Sequence, residues 1–174
     1  PSAAAALAQQ VFDDLSGRRV LVLGAGKMSE STARNLVSRG ADVAVVANRT
    51  LAHGEELARR LGAQAIELEA IGAELEHADV VVSATSASDH VVTRDEVAAA
   101  LRARKGRPLL LVDLAVPRDL DPAINELDGC FLYDVDDLEA VVAETLSGRR
   151  TEAARAERLV ADEADRFRAW QASL

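Results

Sequence analysis

Hydrophobic and polar positions change their period several times along the chain, and each change marks an element. Ala3 to Leu15 places apolar residues at Leu7, Val11, Phe12 and Leu15, the spacing of a short amphipathic helix that Ser16-Gly17 ends. From Arg18 onward, short unbroken apolar runs take over: Val20 to Leu23, Val43 to Ala47, Val80 to Val82 and Leu109 to Val112. A run that is apolar at every position reads as a strand buried on both faces, as in parallel sheets covered by helices. The stretches between these runs carry helical spacing instead, at Ala33, Leu36 and Val37, at Leu57, Ala58 and Leu61, and at Val97, Ala98 and Leu101. Thr93-Arg-Asp-Glu96 predicts a capping box for the last of these helices. Ala65-Ile66 and Phe131-Leu-Tyr133 predict two shorter strands. Strand and helix alternating through short loops define an α/β fold with an open, doubly wound parallel sheet.

After Asp134 the texture changes again. Asp136-Asp-Leu-Glu139 has the form of a second capping box, and no proline follows before Leu174. Apolar or small residues recur at Leu138, Val141, Val142, Leu146, Ala153, Ala156, Val160, Phe167 and Trp170, a near-heptad stripe broken by Arg149 and Glu163. Gly148 weakens such a helix by about 1 kcal/mol relative to Ala. The expected organisation is a connecting helix over 1–16, a sheet domain over 17–135, and the start of a long helix over 136–174. A helix of that length joins modules or pairs with a partner.

Composition narrows the function. The chain of 174 residues is 49% hydrophobic and 28% charged, the balance of a soluble globular protein. No apolar run reaches the roughly 20 residues needed to span a bilayer. Pro1 to Ala6 lacks the basic start and apolar core of a signal peptide, and the absent initiator Met suggests an excised or processed piece. Cys130 is the only cysteine, which excludes an internal disulfide and suits a reducing cytoplasm. It opens the run Cys-Phe-Leu-Tyr, where a buried, inert thiol is expected. A net charge of −9 with one Trp offers neither a basic footprint nor a stacking platform, so the chain by itself should bind RNA poorly. His53, His77 and His90 are scattered without metal-ligand spacing, so no metal site is expected. Asp134, Asp136 and Asp137 read as helix caps rather than a cation site.

Three segments at the ends of strands carry chemistry. Gly24-Ala25-Gly26 follows the first strand and precedes a helix, with Lys27 and Met28 opening that helix. In a Rossmann-type fold the first Gly makes the tight turn and the second lets the backbone approach a pyrophosphate, which sits on the exposed amides of the helix start. Ser29 stands where the third Gly of the pattern usually falls and is small enough for close helix–strand packing. At the second strand's end, an NAD site usually offers a carboxylate to the ribose 2′-hydroxyl. Asn48-Arg49-Thr50 offers none. Arg49 can clamp a 2′-phosphate with paired, charge-assisted bonds and Asn48 and Thr50 can add neutral donors, which points to NADPH. The plainer reading leaves Thr50 as a helix cap and Arg49 as a solvated side chain. Ser83-Ala-Thr85-Ser86-Ala-Ser88, after the fourth strand, would flank the nicotinamide ribose, or be a polar loop without a ligand. Asp113-Leu-Ala115-Val116-Pro-Arg118-Asp119 follows the fifth strand, and its Pro is expected to expose Arg118 and Asp119 near the cofactor mouth. Asp113 has no base or nucleophile beside it, so no catalytic residue is expected.

These segments resemble glutamyl-tRNA reductases. Gly24-Ala-Gly-Lys-Met28 is similar to their phosphate loop and Val46-Ala-Asn-Arg-Thr50 to their second-strand end. The most specific stretch is Leu110-Leu-Val-Asp-Leu-Ala-Val-Pro-Arg-Asp-Leu-Asp-Pro122, followed by Tyr133-Asp-Val-Asp-Asp-Leu138. Shikimate dehydrogenases share the first two motifs but not the third. The resemblance implies an NADPH-binding domain and the start of a spinal helix leading to a dimerisation region. It implies that the diphosphate lies on Gly24 to Met28, and that Thr85, Ser86, Ala115, Val116 and Arg118 border the nicotinamide. It also implies that the full-length enzyme, a cytoplasmic homodimer, reduces glutamyl-tRNA to glutamate-1-semialdehyde for tetrapyrrole (porphyrin) synthesis, through a Cys in an N-terminal domain that this chain lacks. This chain alone is then inactive. Ser86 follows Thr85 where many relatives have Gly. Two other readings stay open: a shikimate-dehydrogenase-like NADP oxidoreductase, and a non-catalytic scaffold that docks partners through its long helix.

Overall fold

The computed structural model describes residues 2–143 and 165–172. They fall into two compact units, Pro1–Leu138 and Glu139–Leu174. In the first, α1 (Ser2–Phe12) precedes β1 (Arg19–Leu23), α2 (Lys27–Ser38), β2 (Asp42–Asn48), α3 (Leu51–Leu61) and β3 (Gln64–Glu67). A short 3₁₀ turn leads into α4 (Ile71–Leu75), β4 (Val80–Ser83), α5 (Arg94–Arg104) and β5 (Leu109–Asp113), and a second one, Pro122–Glu126, into β6 (Cys130–Asp134). A last helix, α6, starts at residue 135 and is described as far as 143. The second unit holds a helical segment at 165–172, where the rings of Phe167 and Trp170 lie 5.9 Å apart. The rest of the predicted long helix lies outside the described residues.

The six strands form one sheet in the order β3-β2-β1-β4-β5-β6, and every pairing is parallel. The fold is a Rossmann-type doubly wound sheet, as the apolar runs predict. Alternation along the strands divides the core. Val20, Val22, Val80, Val82, Leu110 and Val112 face α1, α2 and α3, packing with Ala5, Leu7, Ala33, Leu36 and Leu57. Leu21, Leu23, Val81, Leu109 and Leu111 face α4 and α5, packing with Ile71, Leu75, Val97 and Ala100. In the four central strands β2, β1, β4 and β5, burial on both faces leaves no polar position inside a strand, so the chemistry is confined to the strand ends.

Two helix boundaries differ from expectation. The first helix ends at Phe12 rather than Leu15, because Asp13 takes a left-handed φ of 61° that helical geometry does not allow. Leu15 is nevertheless buried. The cap of α6 sits two residues earlier than the predicted Asp136–Glu139 pair. Asp137 donates its amide to Asp134 Oδ1 at 2.9 Å, and the Asp134 amide donates to Asp137 Oδ2 at 3.0 Å. Strand β6 runs through Asp134, so the chain turns into the helix there. The Thr93–Glu96 box forms as predicted.

At the amino end of the strands, Arg104 is 1% exposed and gathers backbone carbonyls. Its guanidinium donates to Leu75 O at 3.0 Å, Glu76 O at 3.3 Å, Arg107 O at 3.2 Å, Pro108 O at 2.6 Å and also to Ala78 O. These carbonyls end α4 and lead into β4 and β5, so one planar fork ties together the starts of two neighbouring strands. Burial lowers the pKa of Arg104 from its ordinary value, with the Arg107 charge adding to the drop. Arg104→Met should cost about 3 kcal/mol in urea unfolding, since it strands several buried acceptors, and Arg104→Lys should not restore the loss because a point donor cannot reach them all.

Candidate functional site

The carboxyl ends of β1, β2 and β4 meet beside the point where the strand order reverses, the usual place for a ligand in an open α/β sheet. A cleft of about 460 Å³ opens there. It brings together Gly24, Ala25, Gly26, Asn48, Arg49, Thr50, Thr85 and Ser86, eight of the residues singled out from sequence. Lys27 and Met28 begin α2 without lining the cleft, and Met28 is half-exposed. Ala115, Val116 and Arg118 line a second cleft of about 370 Å³ with Pro117, Asp134, Val135 and Asp136. The peptide between Val116 and Pro117 is cis, and Val116 is 87% exposed.

Gly24 fixes the first turn. Its φ is +99°, and a Cβ there would lie 2.6 Å from the carbonyl oxygen of Ala84. The turn after β1 thus presses against the chain leaving β4, which leaves no room for a side chain. Gly26 differs. A Cβ on it would meet nothing within 4 Å, because it faces the open cleft. Gly26 is also the N-cap of α2, and no side chain caps its first-turn amides. A surface of bare backbone donors at a helix start can take an anion. Ser29 packs inside this turn, fully buried, with its Oγ without a partner among the described residues.

The second strand's end supplies the charge. Asn48 donates Nδ2 to Thr50 O at 2.8 Å, so part of its amide already braces the turn. Thr50 is the N-cap of α3, yet its hydroxyl makes no capping bond. Two arginines line the cleft. Arg60 faces Glu30 at 3.6 Å and Glu56 at 3.9 Å, whereas Arg49 is exposed and has no carboxylate partner among the described residues. His53, Glu56 and Arg60 of α3, with Leu68, also line the cleft and were not identified from sequence, whereas Ala84 and Ala87 line it from the loop after β4 that was. The helical period places His53, Glu56 and Arg60 on one face, but which face meets the cleft depends on how α3 rotates against the sheet.

The segment after β5 departs from expectation in one respect. Arg118 is exposed, and it pairs with Asp134 at 2.6 Å and Asp136 at 3.7 Å. Asp119 is not exposed: it is fully buried and accepts from Ser83 Oγ at 2.7 Å and from the Thr85 amide at 2.8 Å. Three donors converge on it, since the Thr85 hydroxyl donates to its other oxygen. They hold it inward in a site where a free carboxylate would be costly. Asp113 is likewise buried, accepting from the Ala115 amide at 3.1 Å and the Leu120 amide at 2.9 Å. Burial raises the Asp113 pKa, and the amides that bond it pull it partway back. Cys130 is buried and donates to Ile124 O at 3.4 Å, with its pKa raised by burial. Among the described residues, no group of three or more His, Cys, Asp or Glu could hold a metal, and no helix is long and apolar enough to cross a membrane.

Fold and cleft together define a Rossmann-type nucleotide-binding domain. The family model described as shikimate/quinate 5-dehydrogenase matches residues 6–141, and the chain belongs to that family. Curated glutamyl-tRNA reductases are among the proteins that this chain resembles. It is 50% identical to that of Sorangium cellulosum over 169 residues, covering 97% of this chain and 32% of that protein. It is 44% identical to that of Bacillus subtilis over 172 residues, covering 99% and 38%. Among solved structures, glutamyl-tRNA reductase from Methanopyrus kandleri superposes with a TM-score of 0.79 at 40% identity, covering 93% of this chain and 41% of that one. The nucleotide-binding domain of the Thermoplasma volcanium enzyme, at 17% identity and a TM-score of 0.62, shares the fold over 84% of this chain and 96% of that one. The chain spans about a third of the length of the curated relatives it matches.

The two glycines should respond differently to a methyl group. Gly24→Ala should lower stability in denaturant unfolding by at least about 2 kcal/mol, through its positive φ and the clash with Ala84. Gly26→Ala, whose methyl enters open space, should stay within about 1 kcal/mol of the parent.

Proposed function

We propose that this chain is the NADPH-binding portion of a glutamyl-tRNA reductase. The observation that carries the cofactor assignment is Arg49, an exposed guanidinium without a carboxylate partner among the described residues, at the end of β2 where a carboxylate would mark an NAD site. The bare turn at Gly24, Ala25 and Gly26, with the first amides of α2 at Lys27 and Met28, takes the diphosphate. Arg49 holds the 2′-phosphate, with Asn48 and Thr50 beside it. Thr85 and Ser86 from one loop, and Ala115, Val116 and Arg118 from the other, border the nicotinamide end. Bound NADPH would supply hydride. This chain's own residues bind and orient it, and its one thiol, Cys130, is a buried strand residue rather than a nucleophile.

In the full-length enzyme that hydride would go to the glutamyl group of glutamyl-tRNA, giving glutamate-1-semialdehyde for porphyrin synthesis. Support comes from the 41% to 50% identity to glutamyl-tRNA reductases over nearly the whole chain. We place the enzyme in the cytoplasm as a homodimer joined through the region of its C-terminal helix. The family name favours a second reading, a dehydrogenase acting on a small alcohol. Such an enzyme needs a lysine beside its substrate. Lys105 caps the end of α5 and Lys27 lies outside the cleft, so the first reading is preferred.

Titration calorimetry tests the cofactor. The chain should bind NADPH, and Arg49→Glu should weaken it by at least about tenfold while leaving NADH within about twofold. Equal loss for both dinucleotides would remove Arg49 from the 2′-phosphate site. Failure of the unaltered chain to bind NADPH would favour a scaffold without a cofactor. Gly26→Ala should weaken both dinucleotides alike, since each carries the diphosphate.

A further inference from the structure

Asp119 follows β5 in the chain, yet its carboxylate serves the loop that follows β4. One oxygen accepts from Ser83 Oγ at 2.7 Å and the Thr85 amide at 2.8 Å, and the other accepts from the Thr85 hydroxyl. The same Thr85 oxygen accepts from the Ala87 amide at 3.2 Å, which curls residues 85–87. The backbone of Asp119 holds the far end of that loop, its carbonyl accepting from the Val91 amide at 2.6 Å. Val92 and Leu120 then form an isolated parallel bridge. Both ends of the loop are therefore anchored on one buried residue, and the stretch between includes Thr85, Ser86 and Ala87, which wall the cleft.

The donor set says why a carboxylate is needed. Asn has one acceptor oxygen, so it cannot receive Ser83 and the Thr85 amide on one side and the Thr85 hydroxyl on the other. No cation pairs with Asp119 among the described residues, so its charge is held by neutral donors alone. The bonding also fixes the sense of the Thr85 hydroxyl. Its one proton goes to Asp119, so toward anything in the cleft Thr85 Oγ1 can only accept.

We infer that Asp119 is a positioning residue for the nicotinamide-ribose half of the bound dinucleotide, shaping Thr85–Ala87 into an acceptor-bearing wall for ribose hydroxyl or carboxamide donors. This rests on the dinucleotide reading above. Asp119 itself lines no part of the cleft and acts through Thr85.

The test separates the two halves of the cofactor. Adenosine 2′,5′-bisphosphate carries the adenosine, the 2′-phosphate and the adenosine-side 5′-phosphate but no nicotinamide, so it reports the Arg49 end and the phosphate turn without the nicotinamide half. Asp119→Ala should weaken NADPH by about tenfold, the scale expected when buried donors lose their acceptor, and leave the bisphosphate within about twofold. Asp119→Asn keeps the volume and one acceptor oxygen, so its loss for NADPH should be smaller, about threefold, with the bisphosphate again unchanged. If the Ala variant does not fold, the Asn variant decides. Parallel loss of both ligands would make Asp119 a general stabiliser of the fold and overturn the assignment, as would full retention of NADPH. An unaltered chain that binds the bisphosphate but not NADPH would also overturn it, whereas one that binds neither would remove the dinucleotide reading itself.

Discussion

The approach of Gly24 to Ala84 is the constraint around which the site is built. Two chains leave adjacent parallel strands, β1 and β4, and diverge to opposite faces of the sheet. A crevice opens where they part, but the two must first pass at backbone distance, with the place for a Gly24 Cβ only 2.6 Å from the Ala84 carbonyl oxygen. That contact sets where α2 begins and therefore where its unpaired amides lie. It also brings Thr85 and Ser86 alongside the turn after β1. Arg104, at the other end of the strands, fixes how the chain passes into β4 and β5. The sheet is thus pinned at its amino end by a side chain and at its carboxyl end by the absence of one.

Most of the architecture was legible in sequence because a doubly covered parallel sheet has a simple signature. Runs such as Val20 to Leu23 and Leu109 to Val112, apolar at every position and too short for a helix, read as strands covered on both faces. The turn at Gly24 and the charge at Arg49 were legible for a related reason: their chemistry is local, set by a few residues at a strand end. What escaped reading was set by tertiary geometry. Asp119 follows Pro117 and Arg118 in a polar stretch, which looks like surface, and its burial comes from donors supplied more than 30 residues away. The cap of α6 shifted to Asp134 because the extent of β6 is fixed by pairing with β5, and pairing is invisible in a run of aspartates. Helix α3 was predicted, but its rotation was not, so His53, Glu56 and Arg60 were missed as cleft residues.

Charge within the site is unevenly committed. The chain carries a net −9, and most ion pairs near the cleft neutralise one another: Arg34 and Arg60 with Glu30, and Arg118 with Asp134. The Glu30 carboxyl is held below its usual pKa by its bond from Arg34, with Arg60 and Arg34 charges adding to that effect. An acidic surface repels a dinucleotide phosphate at long range, so attraction must come from short-range donors. On the proposed reading, backbone amides at α2 supply such donors without charge, and the exposed guanidinium of Arg49 adds one positive charge.

On the NADPH reading proposed above, the two ends of the cleft use different physics for recognition. At the β2 end, Arg49 is exposed, so its pull on a phosphate acts through a high dielectric and weakens with salt. It distinguishes cofactors by charge and tolerates small displacements. At the β4 end, the wall is backbone and hydroxyl held by Asp119, whose bonds lie in a buried setting that salt does not screen. Such a wall distinguishes by geometry, and an error in it cannot be absorbed by a flexible side chain. A redox cofactor needs this division, because its identity can be read loosely at the phosphate, whereas its reacting ring must be placed within tenths of an ångström. On that reading the buried carboxylate belongs beside β4, where placement matters, and the exposed arginine beside β2, where only the charge has to be found.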